Sequence, residues 1–187
     1  MNATVRRTAP RVTLRPPEPR DRDVFLAAVH ASRRLHHPWA QPPDDAASFA
    51  AWLEGGRGPG MERHLVVIRE NDGLAGYFGI SQIYYGPLRS AYLGYFALEP
   101  HAGKGYMREG LGLVLRHAFG PLGLHRLEAN IQPGNTASIG LVKGAGFRRE
   151  GFSPRYLKIA GRWRDHERWA ILAEDLRGRE RGVRRAT

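Results

Sequence analysis

Gly103-Lys104-Gly105 is the point in this chain where residue type and spacing suggest phosphate chemistry. Before it runs Ala91 to Leu98 (AYLGYFAL), apolar and aromatic and short enough for a buried strand. Pro100 and His101 end that run. After it, Leu111, Val114, Leu115 and Ala118 recur at helical spacing. The stretch predicts strand, glycine turn, helix. Such a turn points bare backbone N–H groups along the helix axis, where the dipole adds about half a positive charge. A phosphate or pyrophosphate suits that position, and glycine has no side chain to keep an anion off the backbone. A tight connection alone would also use glycine here. Two better-defined phosphate loops are excluded. A dinucleotide fingerprint needs a third glycine where Arg108 stands, and no stretch supplies G-x-x-x-x-G-K-[ST].

Other residues offer different chemistry. Asn135 and Ser138 follow the turn Pro133-Gly134, a pattern that by itself reads as a helix cap. Asp165, His166 and Glu167 are the acid–base candidates near the C-terminus. His36 and His37 are adjacent and cannot share one ion comfortably. No third ligand is spaced near them, so no metal is expected there. The chain has no Cys, which excludes disulfides, a thiol nucleophile and thiolate metal sites.

The elements that must position these groups follow in order. Arg11 to Arg15 alternates as a first strand. Asp21 is placed to cap a helix over Val24, Phe25, Ala28, Val29 and Ala31, running to about Leu35. Asp44 or Asp45 starts a second helix through Phe49, Trp52 and Leu53. His64 to Glu70 and Leu74 to Tyr85 are strands joined at Asn71-Asp72-Gly73, a hairpin signal. Gly86-Pro87 turns the chain into the strand Ala91 to Leu98. A helix runs from about Lys104 to Gly120-Pro121. His125 to Gln132 is a strand, Thr136 to Ala145 a helix, and Phe147 to Ile159 and Arg162 to Leu172 the closing strands. The order is β α α β β β α β α β β, an α/β chain with a mixed sheet, antiparallel early and parallel around the glycine turn.

With 187 residues, 42% hydrophobic and 25% charged, this is ordinary globular composition and one domain's length. A single domain over 1–176 is expected, with a basic and mobile tail over 177–187. The formal net charge is +11. Such a surface favours polyanions such as RNA or a ribosome, or an anionic cofactor, or is simply solvated in an Arg-rich chain. No apolar run approaches a membrane span and the N-terminus lacks an apolar leader core, so a cytoplasmic location is expected.

The stretch Ala102-Gly103-Lys104-Gly105-Tyr106-Met107 resembles the acyl-CoA-binding motif Q/R-x-x-G-x-G/A of the GNAT N-acetyltransferase superfamily. Gly105 falls on the glycine of the motif, and Gly103 adds a second glycine to the loop. Ala102 replaces Gln or Arg, and Met107 replaces Gly or Ala, as is usual in the ribosomal-protein-alanine N-acetyltransferases. Further segments resemble that subfamily: Leu35 to Trp39 (LHHPW), Asn135 to Ser138 followed by Gly146-Phe147, and Gly161-Arg162-Trp163-Arg164-Asp165-His166, the most specific of them. The resemblance covers essentially the whole chain and implies the GNAT fold, with acetyl-CoA as co-substrate and an amine acceptor.

It also implies roles. The pyrophosphate would lie on the backbone of Gly103, Lys104, Gly105, Tyr106, Met107 and Arg108. The pantetheine arm would bond like an extra strand to Tyr95, Phe96, Ala97 and Leu98, with a backbone N–H near Phe96 or Ala97 facing the developing oxyanion. Asn135 would reach the pantetheine, and Ser138 would protonate the leaving thiolate. Asp165 is the candidate base, and the segment Leu35 to Trp39, with Trp39 foremost, would line the acceptor groove together with Tyr84, Tyr85 and the hairpin at Gly161. An α-amine, with a pKa near ~7.7–8, needs little help to attack, whereas a lysine at ~10.4 needs much more. The leading expectation is therefore acetylation of a protein N-terminus, such as the Ala end of a ribosomal protein. The alternatives are a small-amine acetyltransferase (antibiotic or polyamine) and a non-enzymatic RNA- or ribosome-binding module. Either a monomer or a homodimer fits.

Overall fold

The computed structural model describes residues 9–178. The element order is β1 (Val12–Arg15), a 3-10 turn (Pro19–Asp21), α1 (Arg22–Ala31), α2 (Arg33–His36), α3 (Ala46–Glu54), β2 (Met61–Ile68), β3 (Leu74–Tyr84), β4 (Ser90–Ala97), α4 (Tyr106–Phe119), β5 (Arg126–Ile131), α5 (Thr136–Ala145), β6 (Arg148–Ile159) and β7 (Arg162–Leu172). Residues 173–178 form a final helical turn. Arg177 and Gly178 thus belong to that turn rather than to a tail. The rest of the expected tail, 179–187, lies outside the described residues, as do the first eight residues of the expected domain.

The seven strands form one sheet in the order β1-β2-β3-β4-β5-β7-β6. Only β4 and β5 are parallel, as expected around the glycine turn. Both faces are covered, and the sequence of β2 shows why. Leu65 and Val67 point into a core with Phe25, Val29 and Phe49 of α1 and α3. Val66 and Ile68 point into the larger core with Leu111, Val114 and Leu115 of α4. Alternation puts successive side chains on opposite faces, so a sheet buried on both sides needs the continuous run LVVI. Gly110 lets α4 settle close to the sheet: a Cβ there would stand 3.1 Å from Phe78 and Val66.

Two local expectations change. The first helix is broken at Ser32, whose hydroxyl donates to the Ala28 carbonyl (2.6 Å) while its oxygen accepts the Glu99 N–H (2.8 Å). A separate turn then carries His36. Asp21 makes no side-chain cap. Its carboxylate instead accepts both Arg15 guanidinium nitrogens (2.6 and 2.7 Å) and the Glu18 N–H, tying β1 to the start of α1. Asp45 is the true cap of α3, accepting the Ser48 N–H at 2.7 Å.

His36 and His166 are buried, at 5% and 2% exposure. Burial holds both imidazoles below the usual histidine range, although the carbonyls of Ala97 and Arg164 that they face pull the other way. Because the folded pKa values are lowered, the unfolded chain takes up more protons below about pH 6.5. Their contribution is fully present above that pH and is lost as pH falls toward the folded values. A thermal melt at pH 5 should therefore show a lower Tm than one at pH 7. A flat Tm across that interval would contradict the assignment.

Candidate active site

The parallel pair β4–β5 is joined at Ser90–Arg126, Ala91–Leu127 and Tyr92–Glu128, and there the pairing stops. From Leu93 onward β4 keeps β3 but no longer has β5 beside it. The two strands splay. On the other side, Leu98 N–H donates to Ala75 O at 2.9 Å. Antiparallel alternation then turns the even-numbered residues of β4 toward β3 and leaves the N–H and C=O of Tyr95 and Ala97 facing the opening. Of the two residues expected to aim an N–H at an oxyanion, Phe96 is paired with Tyr77 and Ala97 is the one facing the gap.

A cleft of about 380 Å³ fills this opening. Of the sequence candidates it gathers Trp39, Tyr95, Phe96, Ala97, Gly103, Gly105, Tyr106, Met107, Arg108, Asn135 and Ser138. Four parts of the chain meet there, and each is held by identifiable contacts.

At one end lies the glycine turn. Gly103 (φ +75°) and Gly105 (φ +85°) are both left-handed, a backbone that L side chains rarely adopt. A Cβ on Gly103 would meet only open space. Gly105 caps α4, its carbonyl taking the N–H groups of Arg108 and Glu109, so the amides of Tyr106 and Met107 are left without helical acceptors. The turn is clamped from outside by Arg11. Its guanidinium donates to the Lys104 carbonyl (3.0 Å) and to Glu109 Oε1 (2.6 Å), and lies 4.6 Å above the Tyr106 ring. Arg11→Ala should loosen the turn without touching the reacting atoms. We expect KM for acetyl-CoA to rise about 5- to 20-fold with kcat held within twofold, since this is binding common to ground and transition states. An equal fall in kcat would show a different role for Arg11.

In the middle, Asn135 Oδ1 accepts the Ser138 N–H (3.1 Å) at the start of α5. The cap occupies Oδ1, so a contact toward the cleft falls to the Nδ2 amide. Tyr95 reaches across the splay from β4 and its hydroxyl donates to the Ser138 carbonyl (3.3 Å). Burial pushes this phenol up to about 12. It stays protonated and locks α5 to β4. At the far side, Gln132 donates to the Trp39 carbonyl (3.4 Å), and the Trp39 ring covers Gly134, where a Cβ would come within 3.1 Å.

His36 belongs to the segment Leu35 to Trp39 expected at the acceptor groove, and the structure gives it a role that the sequence did not. Its Nε2 lies 2.8 Å from the Ala97 carbonyl, which can only accept, so Nε2 carries the proton. The ring also packs edge-on against Phe96 (5.2 Å). His36 thus fixes the peptide plane next to the one that faces the gap. His101 and Leu141, also unforeseen, complete the walls.

Five expected site residues are elsewhere. Leu98 has both backbone groups engaged, its N–H on Ala75 and its carbonyl on His101 N–H, and its side chain is in the α1–α3 core. Lys104 is exposed and contributes its carbonyl to Arg11 rather than its ammonium to the cleft. Tyr84 and Tyr85 are exposed at the far end of β3, where Tyr84 opposes Ser90, at the opposite end of β4 from the cleft. Asp165 accepts the Arg155 N–H (2.7 Å) and stabilises the left-handed Arg155 (φ +49°) in the β6 bulge. Its carboxylate braces the bulge and is not among the groups that line the cleft.

A splayed β4–β5 pair with a glycine turn at the head of α4 is an arrangement for a thioester cofactor, and comparison agrees. The acetyltransferase (GNAT) domain model matches residues 11–148. The [ribosomal protein uS5]-alanine N-acetyltransferase of Escherichia coli is 30% identical over 173 residues, which cover 83% of this chain and 85% of that protein. The probable N-acetyltransferase YjcK of Bacillus subtilis is 43% identical over 105 residues, 56% of this chain; the chain spans 58% of that relative's length. Among solved structures, Mycobacterium smegmatis RimJ in complex with CoA-disulfide superposes with a TM-score of 0.81 at 32% identity, covering 88% of this chain and 83% of that one. The chain belongs to the GNAT acetyltransferase family. Its class is the N-acetyltransferases, with acetyl-CoA as co-substrate.

Proposed function

We propose that this enzyme acetylates the α-amino group of a protein N-terminus, with the Ala end of a ribosomal protein as the leading acceptor. The observation that carries the reading is the composition of the cleft: among the described residues, none that lines it is Asp or Glu. A polyamine acceptor is a polycation and needs carboxylates to replace its hydration. An α-amine is a poor match for that requirement and a good match for this cleft. Its low pKa leaves a useful neutral fraction at pH 7–8, so attack proceeds without a strong base. The similarity to the uS5-alanine and RimJ enzymes supports the same acceptor class.

In this reading the amine adds to the thioester carbonyl and the C–N bond forms. The oxyanion faces the Ala97 N–H. The C–S bond then breaks as Ser138 gives its hydroxyl proton to the sulfur, and the proton released by the ammonium returns through water to the Ser138 oxygen, so the serine ends as it began. Thiol release should be seen with a peptide bearing a free N-terminal Ala. It should fall at least 100-fold for the same peptide with a blocked end and an internal Lys, and for spermidine. Preference for spermidine over the Ala peptide would overturn the proposal in favour of a small-amine enzyme.

A further inference from the structure

Glu62, His64 and His117 converge outside the cleft, and their placement follows from periodicity. Glu62 and His64 share parity with Val66 and Ile68, so they lie on the face of β2 that α4 covers. His117 follows Val114 by three residues and is in the last turn of α4. It therefore sits over the same patch. Both imidazoles direct Nε2 at one carboxylate oxygen: His117 Nε2 is 2.6 Å and His64 Nε2 3.2 Å from Glu62 Oε2. The rings meet edge to face at 5.2 Å. All three donor atoms lie within 4.8 Å of one another, and among the described residues no other three His, Asp or Glu side chains do so.

We propose that Glu62, His64 and His117 form a binding site for a divalent transition-metal ion of the zinc class. Two imidazoles and a carboxylate are the donor set that such ions prefer, while magnesium and calcium favour all-oxygen sites. Metal–ligand bonds of about 2.0–2.2 Å in tetrahedral array separate neighbouring donors by roughly 3.3–3.5 Å. The two nitrogen-to-carboxylate spacings, 2.6 and 3.2 Å, need to open by less than about 1 Å, and the two Nε2 atoms start within 4.8 Å of each other. The ion takes the place of the shared hydrogen bonds, with each ring in its Nδ1–H form. Side-chain exposures of 32% for Glu62 and His117 and 13% for His64 give a path of entry and leave the fourth position to water.

The site is separate from acetyl transfer. His117 is 117 − 106 = 11 residues along α4 from Tyr106, about 16 Å at helical rise. Its effect is to join β2 to α4, elements whose ligands are 117 − 64 = 53 residues apart in sequence.

The test uses the untagged, metal-free full chain without acetyl-CoA, titrated with Co²⁺ and then Zn²⁺. One equivalent of Co²⁺ should bind saturably with the visible absorption of a four-coordinate ion, and Zn²⁺ should displace it. At Zn²⁺ near 100 times Kd, Tm should rise by roughly 5–10 °C. His117→Gln and Glu62→Gln should each abolish the absorption and the Tm shift, while acetyl transfer stays unchanged and shows that the variant is folded. His37→Gln should bind as the parent does. No saturable Co²⁺ binding, or binding that survives His117→Gln, would overturn the proposal.

Discussion

Gly105→Glu is expected to weaken acetyl-CoA binding by at least 100-fold while leaving a folded protein. Three effects act together. Gly105 has φ +85°, where a Cβ costs about 1–2 kcal/mol. That Cβ would lie 3.2 Å from Arg11 Nη2, so the new carboxylate draws Arg11 away from the Lys104 carbonyl and releases the clamp on the turn. The carboxylate also brings negative charge to the positive end of α4, where a pyrophosphate would otherwise rest on the Tyr106 and Met107 amides. A 100-fold loss is about 2.7 kcal/mol, within the range of strain and charge combined. The strain alone lowers Tm by only a few degrees in a chain of this length. Isothermal titration with acetyl-CoA, beside a thermal melt, separates the two. A dissociation constant within threefold of the parent would remove the turn from the cofactor site.

The turn and α4 could be read from sequence because glycine at a strand–helix junction and a 3.6-residue apolar repeat are local signals. The same holds for the cap of α5, where Asn135 and Thr136–Ala145 lie as expected. The splay is different in kind. Nothing in AYLGYFAL or HRLEANIQ says that pairing stops at Tyr92 and Glu128, because the end of a ladder depends on what α4, α5 and β7 do to β5. Position along a strand was the other blind spot. Tyr84 and Tyr85 have the residue types of an acceptor groove, but β3 and β4 run antiparallel, so the end of β3 lies beside the start of β4 and far from its open half.

Polar residues were harder still, since their partners are remote. Asp21 carries the sequence signature of a cap yet serves Arg15. Asp165 stands in the most specific matching segment and braces a bulge. His36 was set aside with His37 as an implausible metal pair, and its partner is a carbonyl 61 residues away. Glu62, His64 and His117 are joined only once β2 and α4 are packed. In each case the residue type was visible and the contact was set by tertiary packing.

Ser138→Ala should reduce kcat by about 10- to 100-fold with the acetyl-CoA dissociation constant within threefold of the parent. The hydroxyls of the cleft belong to Tyr95, Tyr106 and Ser138. Tyr95 donates to the Ser138 carbonyl and burial raises its pKa to about 12, so its proton is held in a structural bond. The Tyr106 ring packs at the turn, between Arg11 and His101. In the proposed mechanism Ser138, which lines the cleft, is the proton donor for the departing sulfur. A thiol of ordinary pKa near ~8.5 is a fair leaving group on its own, so the loss falls at the low end of general-acid effects rather than at 10⁴. The backbone of Ser138 keeps its bonds to Asn135 and Tyr95 after the substitution, so α5 and the cleft wall persist. Ser138→Thr retains a hydroxyl and should recover most of the rate. If Ser138→Ala turns over at the parent rate, the proton comes from water. If Ala and Thr lose rate equally and cofactor affinity falls with it, Ser138 shapes the wall and has no part in proton transfer.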